Sequence, residues 1–378
     1  MPLISVLLAK WSISGVPRMR INLVHCIAQA GYRVDLVLFV GSLPEVERNA
    51  LPDNVRVIEF GKERVGAALP RLVSYFRTNR PVAVIAAETH LNLSAILALQ
   101  ISRIKAQVSV STHVPPTLAA SRPLWHKARL VHVLAHFLYS RADAVVAISA
   151  GMADTLSESL RFPRESIHVI HNPVVNDALF EKARLSPGDL FHTIDVPIVL
   201  GVGRLRSSKG FLDLIDAFAK LSAQRDVHLV ILGEGSQRPK LEARVRELGL
   251  DNVSLPGAVS NPFAWMARAQ LFVSASHFEG LSNVMIEALA CGCPVVATDC
   301  PTGPSEILSD GRYGELVAMK DTDALAGAMA RTLDAPLDEN TLRARAMDFH
   351  AERILNKYLS VLGLPDRGGA AAAKKPSV

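Results

Sequence analysis

An α/β protein with two doubly wound parallel sheets is what this sequence predicts, on three observations. Short Val/Ile/Leu runs, the pattern of strands buried on both faces, alternate with helical periodicity along the chain. The alternation occurs twice, with a break near residues 174–196, where Pro173, Pro187, Gly188 and Pro197 interrupt it. The length, 378 residues, suits two domains. Such alternation implies right-handed crossovers, and ligands on such sheets bind at the carboxyl ends of the strands. The active site is therefore expected in a cleft between the domains.

The elements follow in order. A first strand at Leu3–Leu8 runs into a loop around Ser14-Gly15-Val16-Pro17 and a helix over Met19–Gln29, which Gly31 ends. Further strands are expected at Arg33–Val40, Val55–Glu59, Val82–Ala86, Gln107–Ser111 and Ala144–Ile148, with helices around Leu69–Asn79 and Leu93–Ser102. Ser149 is the expected cap of a helix from Ala150 to Leu160. The second half begins with a strand at Ile198–Val202, a helix over Phe211–Leu221 and a strand at His228–Leu232. A helix near Arg238–Leu248 and a short strand at Val253–Leu255 come next. Asp348–Leu362 reads as a last amphipathic helix. The expected domains are 1–183 and 184–347, then the helix over 348–363 and a tail over 364–378. The end of that tail, GGAAAAKKPSV, is low in complexity and reads as disordered.

Composition narrows the class. Hydrophobic residues make up 49% of the chain, yet no segment reaches the roughly 18 uninterrupted apolar residues of a membrane span. Pro2–Ala9 lacks a preceding basic residue and reads as a strand rather than a signal peptide. Of the four Cys, those at 291, 293 and 300 read as small residues near a buried turn, since no partner pair stands at metal-ligand spacing. A reducing, cytoplasmic setting is expected. Residues 1–184 hold 21 Lys+Arg against 13 Asp+Glu, net +8, while residues 185–378 hold 20 against 23, net −3. The basic half reads either as ordinary solvated surface or as a face for an anionic partner, such as a membrane or lipid phosphate. No nucleic-acid partner is expected.

Chemistry concentrates in residues 276–306, SHFEGLSNVMIEALACGCPVVATDCPTGPSE. Leu271–Ala275 reads as a strand ending in a loop with His277, Glu279 and Gly280. Ser282 stands as N-cap of a helix over Val284–Cys291, which Gly292 and Pro294 stop before a strand at Val295–Thr298. Two carboxylates, Glu279 and Glu287, thus bracket the start of one helix, where free N–H groups and the dipole favour phosphate. Upstream, the strand Ile198–Val202 opens into Gly203-Arg204-Leu205-Arg206-Ser207-Ser208-Lys209-Gly210. Alone this is a solvated basic loop; beside a sugar–diphosphate bond, Arg204 and Lys209 could neutralise the leaving phosphate.

Glu279 and Glu287, with EGL before and EALACGCPVVATD after, resemble the E-x7-E signature of retaining glycosyltransferases of the GT-B fold, family 4. The resemblance implies two Rossmann-like domains facing a central cleft, with the final helix crossing back to the first. It implies that Glu279 lies by the donor sugar and Glu287 holds the nucleotide ribose. GRLxxxKG at Gly203, Arg204 and Lys209 resembles the family's diphosphate-binding segment. Gly233-Glu234-Gly235 resembles its G-[DE]-G turn, and Gly257–Pro262, with Val259 and Asn261, the segment whose backbone holds the base. The N–H groups of Gly280, Leu281 and Ser282 would face the phosphates. Gly15 and Val16 resemble the second half of a Gly-Gly-Val loop, although Ser14 replaces the first Gly and Pro17-Arg18-Met19 the commoner acidic-basic pair. His113 resembles the family's histidine near the donor sugar, and His171-Asn172-Pro173-Val174 its N-P-V segment at the domain junction.

The implied activity is metal-independent transfer of a hexosyl or N-acetylhexosaminyl unit from a nucleotide sugar, a UDP-sugar in envelope-building members, to a glycan or lipid-linked acceptor. No cofactor or metal is implied, and Asp321-Thr322-Asp323 reads as a helix start rather than a metal-binding D-x-D. Two other readings stay open: a nucleotide-sugar epimerase of the same fold, and a non-catalytic nucleotide-binding subunit. Leu118–Arg141, which carries Arg122, Leu124, Trp125, His126, Lys127 and Arg129, reads either as an ordinary helix covering the sheet or as one lying on an anionic membrane at its inner face.

Overall fold

The computed structural model describes residues 1–12, 15–61, 65–113 and 127–365. Ser14, Val114, Pro115, Arg122, Leu124, Trp125, His126 and the tail from residue 366 lie outside the described residues, as do the side chains of Lys127 and Arg129. The chain divides into two compact units, one of Met1–Pro173 with the chain from Ala351 on, the other of Val174–His350.

The first unit is built on a seven-stranded sheet of order β3-β2-β1-β4-β5-β6-β7. Its strands are β1 Leu3–Lys10, β2 Arg33–Val40, β3 Val55–Glu59, β4 Ala83–Ala87, β5 Gln107–Thr112, β6 Ala144–Ala147 and β7 Ile167–Val169. Every recorded pairing is parallel, β1 registering Ile4 against Val34 of β2 and Ala83 of β4. β1 is buried from Leu3 to Ala9, as its largely apolar run requires of a strand covered on both faces, and the one polar residue there, Ser5, pairs with the Tyr75 hydroxyl at 2.7 Å. Ile4, Val6 and Leu8 point into one core with Leu23, Val24 and Ile27 of the helix Gly15–Gln29. Ile354, Leu355, Tyr358 and Leu359 of the helix Ala351–Val361 complete that core. The helix expected at Leu93 begins at Thr89, and its turns are buried on nearly every side, so amphipathic periodicity does not mark its start.

The second unit repeats the plan with six strands in the order β10-β9-β8-β11-β12-β13. These are β8 Ile198–Val202, β9 His228–Leu232, β10 Val253–Gly257, β11 Leu271–Ser274, β12 Val295–Thr298 and β13 Glu315–Val317. All are again parallel. In both sheets the strand order reverses beside the first strand, between β1 and β4 and between β8 and β11. Such a reversal opens a crevice at the carboxyl ends of the strands.

The proline-rich stretch is more ordered than expected. It holds two short helices, Asp177–Arg184, capped by Asn176 on the Leu179 amide at 3.0 Å, and Asp189–His192. Residues 174–183, expected at the end of the first domain, belong with the second unit. Val175 bridges His350, and the Lys182 carbonyl accepts from Asn261.

Candidate active site

The second sheet's reversal point gathers four of the expected residues. β8 ends at Val202, and Gly203 begins a loop that winds through a 3-10 turn, Ser207–Lys209, into the helix Phe211–Ser222. Gly210 makes that turn possible: its φ is +62°, and a Cβ there would lie 1.8 Å from the Ala275 carbonyl oxygen just past β11. The close approach brings Lys209 to the loop after β11, where its Nζ meets Glu279 Oε1 at 2.5 Å. Ser276 Oγ donates to the same oxygen at 2.8 Å, and Thr302 Oγ1 donates to the Glu279 carbonyl. Glu279 is buried, its side chain only 10% exposed, so its charge is balanced by one cation and held by hydrogen bonds. The Lys209 stem passes over Gly203, where a Cβ would stand 3.9 Å from its Cδ. Arg204 is exposed on the loop and makes no ion pair among the described residues.

Three glycine-bearing loops interlock beside this pair. Gly203 N donates to Leu232 O at 2.9 Å, Leu205 N to Glu234 O at 2.9 Å, and Gly233 N to Gly257 O at 2.8 Å. A Cβ on Gly233 would fall 1.9 Å from the Gly203 carbonyl oxygen, and one on Gly235 2.3 Å from that of Leu205. Glycine is thus required by contact between loops. Glu234 is exposed and pairs with Arg238 at 2.6 Å. Val259 and Asn261 lie on the loop after β10, before the helix Pro262–Met266. The Asn261 amide donates to the Lys182 carbonyl at 2.8 Å, so that donor is spent on local structure.

Gly280, Leu281 and Ser282 lead into the helix Asn283–Ala290. Ser282 occupies the N-cap position without capping. At φ −78° and ψ 92°, its hydroxyl accepts no first-turn amide, a departure from the expected cap. That hydroxyl is buried with no partner among the described residues, and Glu287, on the same helix, is 2% exposed. Burial, with the Glu287 charge second, pushes the Cys291 thiol up to about 12. Burial, with Glu279 second, pushes Cys300 up to about 11. These cysteines are therefore neutral thiols.

The first unit places His113 just past the end of β5 and Gly15 and Val16 at the start of the helix Gly15–Gln29. Gly15 is exposed and Val16 half-buried. His113 has a partner that sequence reasoning missed. Arg20, 3% exposed on the Gly15–Gln29 helix, reaches His113 Nε2 at 3.2 Å through Nη2, which also donates to Ser111 Oγ. Burial, reinforced by the Arg20 charge, lowers the His113 pKa to about 3, so the imidazole is neutral at physiological pH. Arg20 was hidden because PRMR at the head of a helix reads as a solvated basic face.

Also missed was Asp213, which meets His277 Nε2 at 2.6 Å and braces the loop before Glu279. No spacing rule links residues so far apart in sequence. The D-x-D triplet is structural: Asp321 caps its helix on the Ala324 amide at 2.8 Å, and Asp323 pairs with Lys220 at 2.7 Å.

Comparison with known proteins agrees with this architecture. Residues 196–335 match the family model for glycosyl transferases group 1, and residues 14–173 that for the glycosyl transferase 4-like domain. An N-acetylgalactosamine-N,N'-diacetylbacillosaminyl-diphospho-undecaprenol 4-alpha-N-acetylgalactosaminyltransferase of Campylobacter jejuni is 33% identical over 236 residues, 61% of this chain and 62% of that protein. The lipopolysaccharide core biosynthesis glycosyltransferase LpsE of Rhizobium meliloti is 30% identical over 59% of this chain and 65% of its own. The chain thus spans somewhat under two thirds of these relatives' lengths. Among solved structures, Anabaena HepE in complex with UDP superposes with a TM-score of 0.75 at 20% identity, covering 96% of this chain and all of that one. The apo form of the lipopolysaccharide outer core galactosyltransferase WaaB gives 0.74 at 19% identity, covering 96% and 99%. Each unit thus matches a glycosyl transferase family model, and the two sheets of the same doubly wound order give the chain the GT-B fold.

Proposed function

We propose that the protein is a retaining, metal-independent glycosyltransferase of the E-x7-E kind. It moves a sugar from a UDP-sugar to a glycan or lipid-linked acceptor in cell-envelope polysaccharide synthesis, at the cytoplasmic side and in peripheral contact with an anionic membrane. The observation that carries this reading is the buried Glu279 held 2.5 Å from Lys209 at the second sheet's reversal point, with Glu287 buried on the helix that follows. The donor class is supported by HepE, solved with UDP, and the acceptor class by the Campylobacter jejuni relative, whose name specifies a diphospho-undecaprenol-linked saccharide.

In this reading the base rests near Val259 and Asn261, the ribose on Glu287, and the phosphates on Arg204, Lys209 and the N–H groups of Gly280, Leu281 and Ser282. The Gly203, Gly233, Glu234 and Gly235 loops let backbone approach the donor. Gly15 and Val16 lie by the phosphates and acceptor. The bond from the anomeric carbon to the leaving phosphate oxygen breaks as an acceptor hydroxyl enters from the same face. The hydroxyl proton passes to that phosphate oxygen, so no side-chain base is required. Glu279 holds sugar hydroxyls and stabilises the positive charge, while fixed cations stabilise the departing diphosphate. Because Arg204 and Lys209 supply that charge, EDTA is expected to leave turnover unchanged.

An initial-rate assay with UDP-, GDP- and ADP-sugars and a lipid-linked saccharide tests this. The expected result is turnover of a UDP-sugar, undiminished by EDTA, to a product of unchanged anomeric configuration. An inverted product, or activity abolished by EDTA, overturns the mechanism.

A further inference from the structure

His113, Arg20 and Ser111 form a cluster whose proton arrangement can be worked out from the partners. Arg20 has N–H donors and no acceptor. Its Nη2 lies 3.2 Å from His113 Nε2 and also donates to Ser111 Oγ. Ser111 Oγ gives its one proton to the Ala86 carbonyl at 3.0 Å, so it has none for His113 Nε2, 3.2 Å away. Among the described residues the only proton on that side is therefore the arginine's, and Nε2 must present its lone pair to receive it. The competing arrangement, Nε2–H donating to Ser111 Oγ, would set two N–H groups against each other at 3.2 Å beside a full positive charge. The remaining ring nitrogen, Nδ1, is buried and has no partner among the described residues; Arg20 Nε is in the same condition. A buried donor without a partner costs about 1–3 kcal/mol and calls for a functional explanation.

We infer that Arg20 is a positioning residue that locks His113 as its Nδ1–H tautomer, so that His113 offers a neutral hydrogen-bond donor to an oxygen of a bound sugar. His113 is then neither a general base nor a cation in the reaction: its free nitrogen gives a proton bond and cannot take one. The lowered pKa agrees, since an imidazole that stays neutral keeps the same donor over the whole working pH range. The identity of the oxygen as a sugar hydroxyl rests on the glycosyltransferase reading. The tautomer does not, and it is measured without substrate.

The test is long-range proton–nitrogen NMR on the full chain labelled with 15N-histidine at pH 7, the His113 signals being assigned by their loss in His113→Gln. Nδ1 in the protonated range and Nε2 in the lone-pair range support the inference; Nε2–H, or an imidazolium, overturns it. Arg20→Met should abolish the preference and Arg20→Lys, which keeps a donor, should retain it. A folded Arg20→Met with the wild-type tautomer overturns the role of Arg20. If Arg20→Met does not fold, Arg20→Lys decides the same point, because an Nε2–H signal in it overturns the role. In turnover, His113→Asn keeps an N–H near the Nδ1 position and should exceed His113→Ala by about tenfold, the worth of one hydrogen bond. Equal rates with an Nδ1–H wild type reject the sugar contact and leave the tautomer standing.

Discussion

Lys209 and Glu279 satisfy each other across 2.5 Å, and that pairing separates what each contributes to folding and to chemistry. Glu279→Gln keeps an acceptor for Lys209 and Ser276, so stability should stay within about 1 kcal/mol of wild type. Turnover should fall by about 100-fold or more, because a neutral amide cannot stabilise a sugar cation. Lys209→Met does the reverse to stability: it strands a buried carboxylate and should cost about 1–3 kcal/mol, with turnover also lost. Combining the two changes should recover stability without recovering rate, since the stranded charge is then gone. Urea midpoints and initial rates on the three variants check this, and a Glu279→Gln protein with wild-type turnover would remove Glu279 from the mechanism. Both residues could be found in the sequence because each stands in a motif of fixed spacing. Arg20 and Asp213 could not, since their partners His113 and His277 are 93 and 64 residues distant, and only the fold brings them together.

Among the elements, those with strong periodicity were legible and those held by tertiary contact were not. β1, β2, β8 and β9 are strongly apolar runs and appear where the sequence places them. β7 and β13, three residues each, carry too little pattern, and the helix Glu339–Ala346 has only Leu342 and Ala346 buried. Ser282 shows the limit of local rules, since its position at a helix start was legible and its hydroxyl's direction was not. The glycines that shape the site are similar: sequence shows a Gly, while the reason for it lies on another strand. Gly210→Ala makes this measurable. Its Cβ would meet the Ala275 carbonyl in a left-handed conformation, so the turn carrying Lys209 must shift, at about 2–4 kcal/mol. Gly31→Ala is the control, at φ +81° with open space around it, and should cost about 1 kcal/mol. Urea midpoints for the pair should differ clearly, with turnover lost only in Gly210→Ala; equal midpoints would mean that the loops do not depend on this contact.

Over the whole molecule, charge and exposed apolar surface bear on where the enzyme works. None of the described helices is long and apolar enough to cross a membrane. The first 184 residues nevertheless carry a net +8 and the rest −3. In the first unit the helix Lys127–Leu138 turns Ala135 inward, yet leaves Val133, Leu134 and Phe137 exposed, Phe137 at 64%. One face of this helix is therefore packed inside the unit while another carries an outward apolar stripe. A stripe of that kind on a basic unit suits shallow insertion into anionic lipid: apolar burial supplies affinity, and long-range attraction supplies the preference for charge. The prediction is that the protein sediments with phosphatidylglycerol vesicles at low salt, and much less with phosphatidylcholine vesicles. Raising the salt to about 0.5 M should weaken the attraction, because the screening length falls to a few ångströms. Leu134→Ser with Phe137→Ser removes the stripe while leaving every charge in place, so it separates insertion from simple ion exchange. Loss of most vesicle binding in that variant, with turnover of a water-soluble acceptor intact, is the expected outcome. Undiminished binding would show that the stripe is not the contact and that charge alone holds the protein to the vesicle.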